Sequence, residues 1–266
     1  MPTQSIINQF RTVPKGVQDL VGALQASLEG QADAAGIRSF LYPAQNDSRE
    51  RWNEYIDAAE SLGLVTRDPL ETNVTDDLDE QAFGRTLRRR FREEERSLDT
   101  NALVYIAYRA ALELETDISG GVPNTLIDRA ELRATQLLGP SPQRRYDGPK
   151  MERWRRWVAA AGLGFDPQPT SASVFVVCPV VALFDELDQC PTGSEIAVSD
   201  FITLMDVIPM LPTDANIGDT LPIGPAAALL LLEERGALRL AYHADARREW
   251  HLPGRPAAVT HVEVMR

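Results

Sequence analysis

The chain has 266 residues, an apolar fraction of 44% and a formal net charge of −12. This size and composition fit one large domain or two to three small ones, and they exclude a largely disordered chain. The negative charge excludes a protein whose whole surface binds nucleic acid, because affinity for phosphates depends on local positive charge. Any contact with DNA must therefore be local.

The sequence also lacks the signatures of several kinds of site. Lys15 and Lys150 are the only lysines, and neither stands in the Gly-Lys-Ser/Thr context of a nucleotide-binding P-loop. Cys178 and Cys190 have no histidine near them in sequence to complete a zinc site, so we expect two reduced thiols in or near the core. The longest apolar run, 226–232, is far shorter than the roughly 20 residues of a membrane span, and the N-terminus has no apolar segment typical of secretion. We expect a cytoplasmic chain with no cofactor, no metal and no membrane contact.

Three helices are predicted in the first unit, residues 1–78. Apolar residues recur at helical spacing over residues 17–28 and again over 32–41, which indicates two amphipathic helices. A third helix over residues 49–62 has an apolar stripe on one side and charged residues on the others. We call this third element the central helix.

The central helix leads directly into a predicted hairpin. Gly63 supplies the left-handed residue that ends a helix abruptly, and residues 64–67 then alternate as a short strand does. Asp68 and Pro69 are expected at the tip, with residues 72–74 returning. Helix, helix, turn, helix and strand in this order predict an N-terminal winged-helix-like domain.

A helical middle region is predicted over residues 79–149. Helical periodicity covers residues 83–96, 102–114 and 124–138. The following segment, 139–149, is rich in turn-forming residues and is the best candidate for a domain boundary.

The C-terminal domain is predicted over residues 150–266. It opens with a helix over 151–163 that resembles the central helix: both have Arg-Trp near the start, a cluster of alanines and Leu-Gly at the end. Either a duplication or the sequence preferences common to helices would explain this similarity. Residues 173–178 are short, apolar and β-branched and predict a strand, and a helix can follow over 179–187.

A second helix-into-wing step is predicted near the C-terminus. Residues 225–235 form an apolar helix that Gly236 ends, and residues 237–243 and 248–252 are expected to pair as a hairpin. The predicted fold class is therefore mostly α with short β-hairpins, an α+β chain in which tandem winged-helix-like domains are joined by a helical middle region.

Acidic residues dominate a long stretch of the C-terminal part. Residues 157–232 contain no Lys, Arg or His, and the acids of this stretch can form either a surface for a basic protein partner or a plain solvated surface. Asp185, Glu186 and Asp188 are the densest group and the candidate partner-binding surface. All of the acids in the stretch are Asp166, Asp185, Glu186, Asp188, Glu195, Asp200, Asp206, Asp214 and Asp219.

Two basic clusters are the candidate contacts for nucleic acid. In the first cluster, residues 85–96, three glutamates offset six arginines, and pairs such as Arg89 with Glu93 stand at helical spacing, which favours ion pairing on a helix surface. For the second cluster, DNA contact and ion pairing are equally supported. Its members are Arg144, Arg145, Lys150, Arg153, Arg155 and Arg156.

The central helix offers a third candidate contact. A DNA-reading helix needs Arg, Lys, Asn or Gln that reach base edges or phosphates, and Arg49, Arg51 and Asn53 stand near its start. Acidic residues farther along this helix work against close approach of DNA. Protein binding is therefore at least as well supported as DNA binding.

A catalytic centre is the least supported alternative. Asp185, Glu186 and Asp188 could hold a magnesium ion for nuclease chemistry, but no Lys or His is near them in sequence to steer the nucleophile. His243 and Asp245 are more typical of a turn than of an acid–base pair. We expect a protein that is not an enzyme.

The order of elements resembles the winged-helix accessory proteins called DpdG, which are found in bacterial gene clusters for 7-deazapurine DNA modification and antiphage defence. The resemblance implies a DNA-modification or defence setting and assigns no catalytic residue. No matching landmark lies between residues 67 and 124. The segments that carry the resemblance are 62–65, 152–165, 174–187, 229–240 and 259–264.

Two hypotheses follow from these patterns. The first is a non-catalytic winged-helix adaptor that binds other protein subunits of a DNA-modification or defence complex. The alternative is a DNA-binding regulator or DNA-loading subunit that contacts double-stranded DNA through its local basic residues. A magnesium-dependent nuclease is the third and least favoured.

Overall fold

A computed structural model describes residues 6–8, 12–26, 34–41, 48–74, 78–98, 101–116, 123–165, 175–212 and 219–265. Within these ranges the protein is mostly helical, with three small antiparallel sheets. The predicted α+β class is confirmed. Every described helix is too short or too polar to cross a membrane.

Three helices open the chain, as predicted. They are α1 (Pro14–Gln25), α2 (Ala34–Leu41) and α3 (Ser48–Ser61). Helix α1 begins earlier than its periodicity suggested because Pro14 occupies the first turn, where a missing amide hydrogen costs nothing. The apolar sides of α1 and α3 are buried against each other.

Helix α3 continues into a hairpin through the predicted glycine. Gly63 has a φ of +67°, and strands β1 (Val65–Thr66) and β2 (Glu71–Thr72) pair antiparallel. Asp68 and Pro69 lie in the turn between the strands, as expected. The predicted helix-into-hairpin step is confirmed.

The middle of the chain is a set of three long helices. They are α4 (Glu80–Ser97), which Asp79 caps by accepting from the Ala82 amide, α5 (Ala102–Thr116) and α6 (Pro123–Leu138). Helix α5 is the centre of the core: every residue over 101–108 is buried, and it contacts α4, α6 and α7. Its continuous apolar character explains why it lies inside rather than at the surface.

Helix α7 (Gly148–Ala160) starts a second hairpin step that the sequence pattern had only hinted at. Asp147 caps its start through the Lys150 amide at 2.8 Å. Beyond it, β3 (Gly164–Phe165) pairs antiparallel with β4 (Val176–Val177). Part of the predicted strand over 173–178 is therefore observed, and residues 173 and 174 lie outside the described ranges.

The last unit contains three helices and a three-stranded sheet. Its elements are α8 (Val180–Leu187), β5 (Glu195–Ala197), α9 (Val198–Leu204), α10 (Ile223–Glu234), β6 (Leu238–Ala241) and β7 (His261–Val264). The strand order is β5-β7-β6, and both pairings are antiparallel.

The predicted pairing of residues 237–243 with 248–252 is wrong. Strand β6 pairs with β7 instead, because Val262 and Val264 present a fully buried face that continues the core. Trp250 is also buried, but it forms an isolated bridge with Val259 in the long loop between β6 and β7. The connection between the two paired strands of this unit is thus longer than the sequence suggested.

Three helix exits share one geometry. Gly63, Gly162 and Gly236 each stand two residues after the end of α3, α7 and α10, with φ of +67°, +70° and +71°. A left-handed glycine at this position lets the chain turn sharply while the last carbonyls stay hydrogen-bonded. In each exit the next amide donates to a carbonyl five residues earlier, namely Leu64 to Ala59, Leu163 to Val158 and Ala237 to Leu232.

Candidate interaction surfaces

Helix α4 and helix α8 are joined by a buried ion-pair cluster. Arg88 is 0% exposed, and its guanidinium donates to Asp185 at 3.2 Å, to Glu186 at 2.8 Å and to the Ala161 carbonyl at 2.8 Å. Gln81 donates to the other oxygen of Asp185 at 2.9 Å. The carboxylates of Asp185 and Glu186 therefore both accept hydrogen bonds from a buried guanidinium group.

The expected acidic surface at Asp185, Glu186 and Asp188 therefore needs correction. Asp185 is only 5% exposed and Glu186 is half-buried, because both turn inward to balance Arg88. Of the three, only Asp188 is exposed. A partner cannot be recruited by this group as an open patch of charge.

Further arginines of α4 bind the acidic stretch in the same way. Arg92 and Arg96 both pair with Asp206, and Arg92 also pairs with Glu95. Partial burial would raise the pKa of Asp206, but the hydrogen bond and positive charge of Arg92, with the charge of Arg96, outweigh it and hold that pKa below its usual value. We call the contacts of Arg88, Arg92 and Arg96 with α8 and Asp206 the α4 seam.

Two of the remaining described acids, Glu195 and Asp219, also contact side chains from elsewhere in the chain. Glu195 pairs with His243 at 2.8 Å, and Asp219 pairs with Arg248. Asp200 is exposed. Asp166 and Asp214 lie outside the described residues. Among the described acids of this stretch, Asp185, Glu186, Asp206 and Asp219 therefore pair with arginines from elsewhere in the chain, whereas Asp188 and Asp200 are exposed.

The first basic cluster behaves as the ion-pair alternative expected. Arg90 pairs with Glu93 at 2.9 Å, while Arg89 is exposed. The pairing along this helix therefore joins residues three positions apart, as in Arg90 and Glu93.

Half of the second basic cluster anchors loops. The guanidinium of Arg144 donates to the carbonyls of Leu138 and Gly139, which end α6. Lys150 donates to the Arg145 carbonyl at 2.6 Å, and burial lowers the pKa of its ammonium group. Arg145 itself is exposed and lies 3.7 Å from Glu131.

The other half of the cluster lies along α7. Arg153 is buried and donates to the Ile7 carbonyl at 2.7 Å. Arg155 is half-buried, and Arg156 pairs with Glu152 one turn earlier. The cluster does not converge on one open face: Arg145 and Arg156 are its exposed members, each beside a glutamate.

The third candidate contact, the start of α3, is partly described. Arg51 is half-buried and Asn53 is exposed, while the side chain of Arg49 lies outside the described residues. The structure adds one residue that the sequence did not single out. Arg67, which follows β1 in the β1–β2 hairpin, pairs with both Asp57 and Glu60 on α3. Only the folded hairpin brings it there.

Helix α10 presents a different surface. Its sequence, IGPAAALLLLEE, contains no cation and no amide side chain. Ile223 is 56% exposed and Leu231 is 38% exposed, with half-buried Ala227 between them at four-residue spacing. We call Ile223, Ala227 and Leu231 the α10 stripe. Such an apolar stripe suits a protein contact and offers nothing to a phosphate.

The nuclease alternative finds little support in this arrangement. Asp185 faces Arg88 inside the molecule, whereas Asp188 is exposed at the end of α8. Among the described residues, no three His, Cys, Asp or Glu side chains gather as metal ligands would. Asp185 and Asp188, two of the three carboxylates considered for a shared ion, therefore have separate surroundings.

These features define a class: a mostly helical α+β protein with repeated helix-into-hairpin units and surfaces suited to macromolecular contact. The chain belongs to the DpdG-like family, whose model matches residues 4–246. This membership agrees with the resemblance found in the sequence and supports a role in a DNA-modification system. No curated protein and no solved structure matches the chain.

Proposed function

We propose that this chain is a non-catalytic winged-helix adaptor, an accessory subunit that binds other proteins of a bacterial DNA-modification or antiphage-defence complex. The proposal joins the DpdG-like family match to the surface of α10. It treats the hairpin units as binding platforms and assigns the chain no reaction of its own.

The topology of the last unit supports a winged helix. Helix α8 is followed by β5, then α9 and α10, then β6, a long loop and β7. The first strand pairs with the last, giving the order β5-β7-β6, so the sheet closes beside the three helices and α10 runs straight into the wing. The α1, α2, α3 and β1–β2 order provides the N-terminal counterpart.

The observation that carries the proposal is the side-chain chemistry of α10. In a helix-turn-helix protein the recognition helix reads base edges with Arg, Lys, Asn or Gln. In the proposed winged helix, α10 is the recognition helix, yet it exposes Ile223 and Leu231, with Glu234 and the capping Arg235 at its end. An aliphatic surface ending in an acid favours docking to a protein over docking to DNA.

Co-purification from the native host tests the proposal. The tagged full-length chain should recover at least one protein encoded by a neighbouring gene, at near-stoichiometric yield and in the presence of nuclease. Recovery of the chain without any such partner would refute the adaptor role.

A DNA-binding regulator or loading subunit is the second candidate, and one contact favours it. Because Arg67 pairs with Asp57 and Glu60, two carboxylates that would repel phosphates are neutralised on the face of α3 that exposes Asn53. Duplex binding should then be salt-sensitive and fall steeply if about six phosphates are contacted. A gel-shift titration at low salt without any shift would eliminate this candidate.

The nuclease reading also has a direct test. Asp188→Ala is the suitable variant, because Asp185→Ala would deprive buried Arg88 of a partner and confuse a loss of stability with a loss of catalysis. Unchanged activity of the assembled complex with this variant would exclude a role for Asp188 in catalysis.

A further inference from the structure

A groove lies between α4, the residues that follow α7, and α8. None of its described lining residues belongs to the α10 stripe. The volume of the groove is about 660 Å³, and it opens to solvent. Three different parts of the fold contribute to it, so the groove exists only when the middle helices and the last unit are assembled. Lining residues that matter here are Glu80, Arg88, Phe165, Val181, Phe184 and Asp185.

The accessible walls of the groove are apolar. Val181 is 58% exposed, and Phe165 and Phe184 are also exposed although they are large and hydrophobic. Scattered apolar residues at a surface are ordinary, but here three of them border one concave surface. A groove of this kind accepts the apolar face of a helix or an extended segment.

The charge of the groove is negative. Its cation, Arg88, is fully buried, and its guanidinium is satisfied by Asp185, Glu186 and the Ala161 carbonyl. Glu80 is exposed at the start of α4 and stands on the rim. The charged group that a ligand meets beside the aliphatic and aromatic walls is therefore Glu80, because Asp185 and Arg88 are both buried and paired with each other.

We infer that the groove binds an apolar segment of a protein partner that also carries arginine or lysine. This inference rests on the proposed adaptor function and assigns the groove to one partner contact. A nucleic acid would find no exposed cation among the described lining residues and would meet Glu80, and a second copy of the chain, with a net charge of −12, is poorly matched to a rim that carries this glutamate.

A defined peptide tests the inference with the full chain. The probe is a fluorescent amphipathic helix of about 18 residues, with leucine on one face and arginine on the others, and its counterpart carries glutamate in place of arginine. The arginine peptide should bind the chain, whereas the glutamate peptide should not. Fluorescence anisotropy gives both affinities.

Matched variants locate the binding. V181S combined with F184S should weaken the arginine peptide about tenfold, and Glu80→Gln should weaken it about twofold, an effect that disappears at high salt. Leu132→Ser, on α6 and 51% exposed, is the control and should leave the affinity unchanged. Equal binding by V181S/F184S and wild type, or equal binding of both peptides, would overturn the inference.

The two proposals fail separately. An empty pull-down from the native host would remove the adaptor role while leaving the peptide preference for the groove intact. Loss of discrimination between the groove variants and Leu132→Ser would remove the groove inference even if a partner is recovered.

Discussion

Helices α4 and α10 place charged and apolar side chains in opposite ways. In α4, Arg88 is fully buried and pairs with Asp185 and Glu186, whereas in α10 Ile223 is largely exposed. The highly charged helix α4 thus holds part of its charge inside the molecule, and the largely apolar helix α10 leaves part of its apolar surface exposed. A cluster of charged residues in a sequence does not by itself indicate a binding surface, because the folded chain can pair those residues with each other internally.

The largest effect is expected from breaking the α4 seam at its buried end. Arg88→Met leaves Asp185 and Glu186 without their cation and should lower the free energy of unfolding by about 3–5 kcal/mol. Arg89→Met, at the exposed neighbouring position, is the control and should stay within about 0.5 kcal/mol of wild type. Urea unfolding of both variants measures the difference. Equal stability of the two would show that Arg88 does not fasten α4 to α8.

A smaller effect should separate a packed helix exit from an open one. Gly162 and Gly236 have nearly the same positive φ, so alanine strains both by about 1 kcal/mol. At Gly162 a Cβ atom would also come within 3.1 Å of the Ala182 amide nitrogen in α8, whereas at Gly236 it would meet open space. Gly162→Ala should therefore lose more stability than Gly236→Ala. Urea unfolding measures both variants, and a larger loss of stability in Gly236→Ala than in Gly162→Ala would contradict this account.

The stability that Asp206 contributes to the α4 seam should depend on pH. The pKa of Asp206 is held low by its arginine partners, so its stabilising contribution is complete above the ordinary carboxyl pKa and is lost as the pH falls through the lowered value. Asp206→Asn should be less stable than wild type by about 1 kcal/mol at pH 7, and the gap should close in strong acid. Unfolding titrations across this pH range test the sign. A gap that widens on acidification would refute the assignment.

The smallest effect on stability is expected at the α10 stripe. I223K combined with L231K replaces two exposed side chains, so the free energy of unfolding should change by no more than about 0.5 kcal/mol. Thermal or urea unfolding checks this directly. A large loss would mean that the stripe is part of the core and is not available to a partner.

The local elements could be predicted from the sequence because their signals are local. Apolar periodicity gave α1, α3 and α5, and Gly63 marked the end of α3 correctly. The partner of β6 could not be found in the same way, since β7 lies beyond the long connection of residues 242–260. The REWHL segment, in which Trp250 and Leu252 are buried, and the HVEV strand both look extended in the sequence, and only the sheet distinguishes them.

The contacts of charged residues were the least predictable part. Arg88 meets Asp185 across 97 residues of chain, and Arg67 reaches α3 only because the hairpin folds back over that helix. Helical spacing explained the pairing of Arg90 with Glu93, a neighbour on the same helix. Long-range ion pairs leave no comparable pattern in the sequence, which is why Asp185 seemed a surface residue.

The most direct test of the adaptor account compares partner recovery by two variants of similar exposure. I223K/L231K on α10 and L132K on α6 both place lysine at exposed aliphatic positions, but only the first pair lies on the α10 stripe. Each tagged variant is purified from the native host, and the ratio of partner to bait is measured. The account predicts that I223K/L231K loses most of the partner while L132K retains it. Equal recovery by the two variants would contradict the claim that α10 docks a protein.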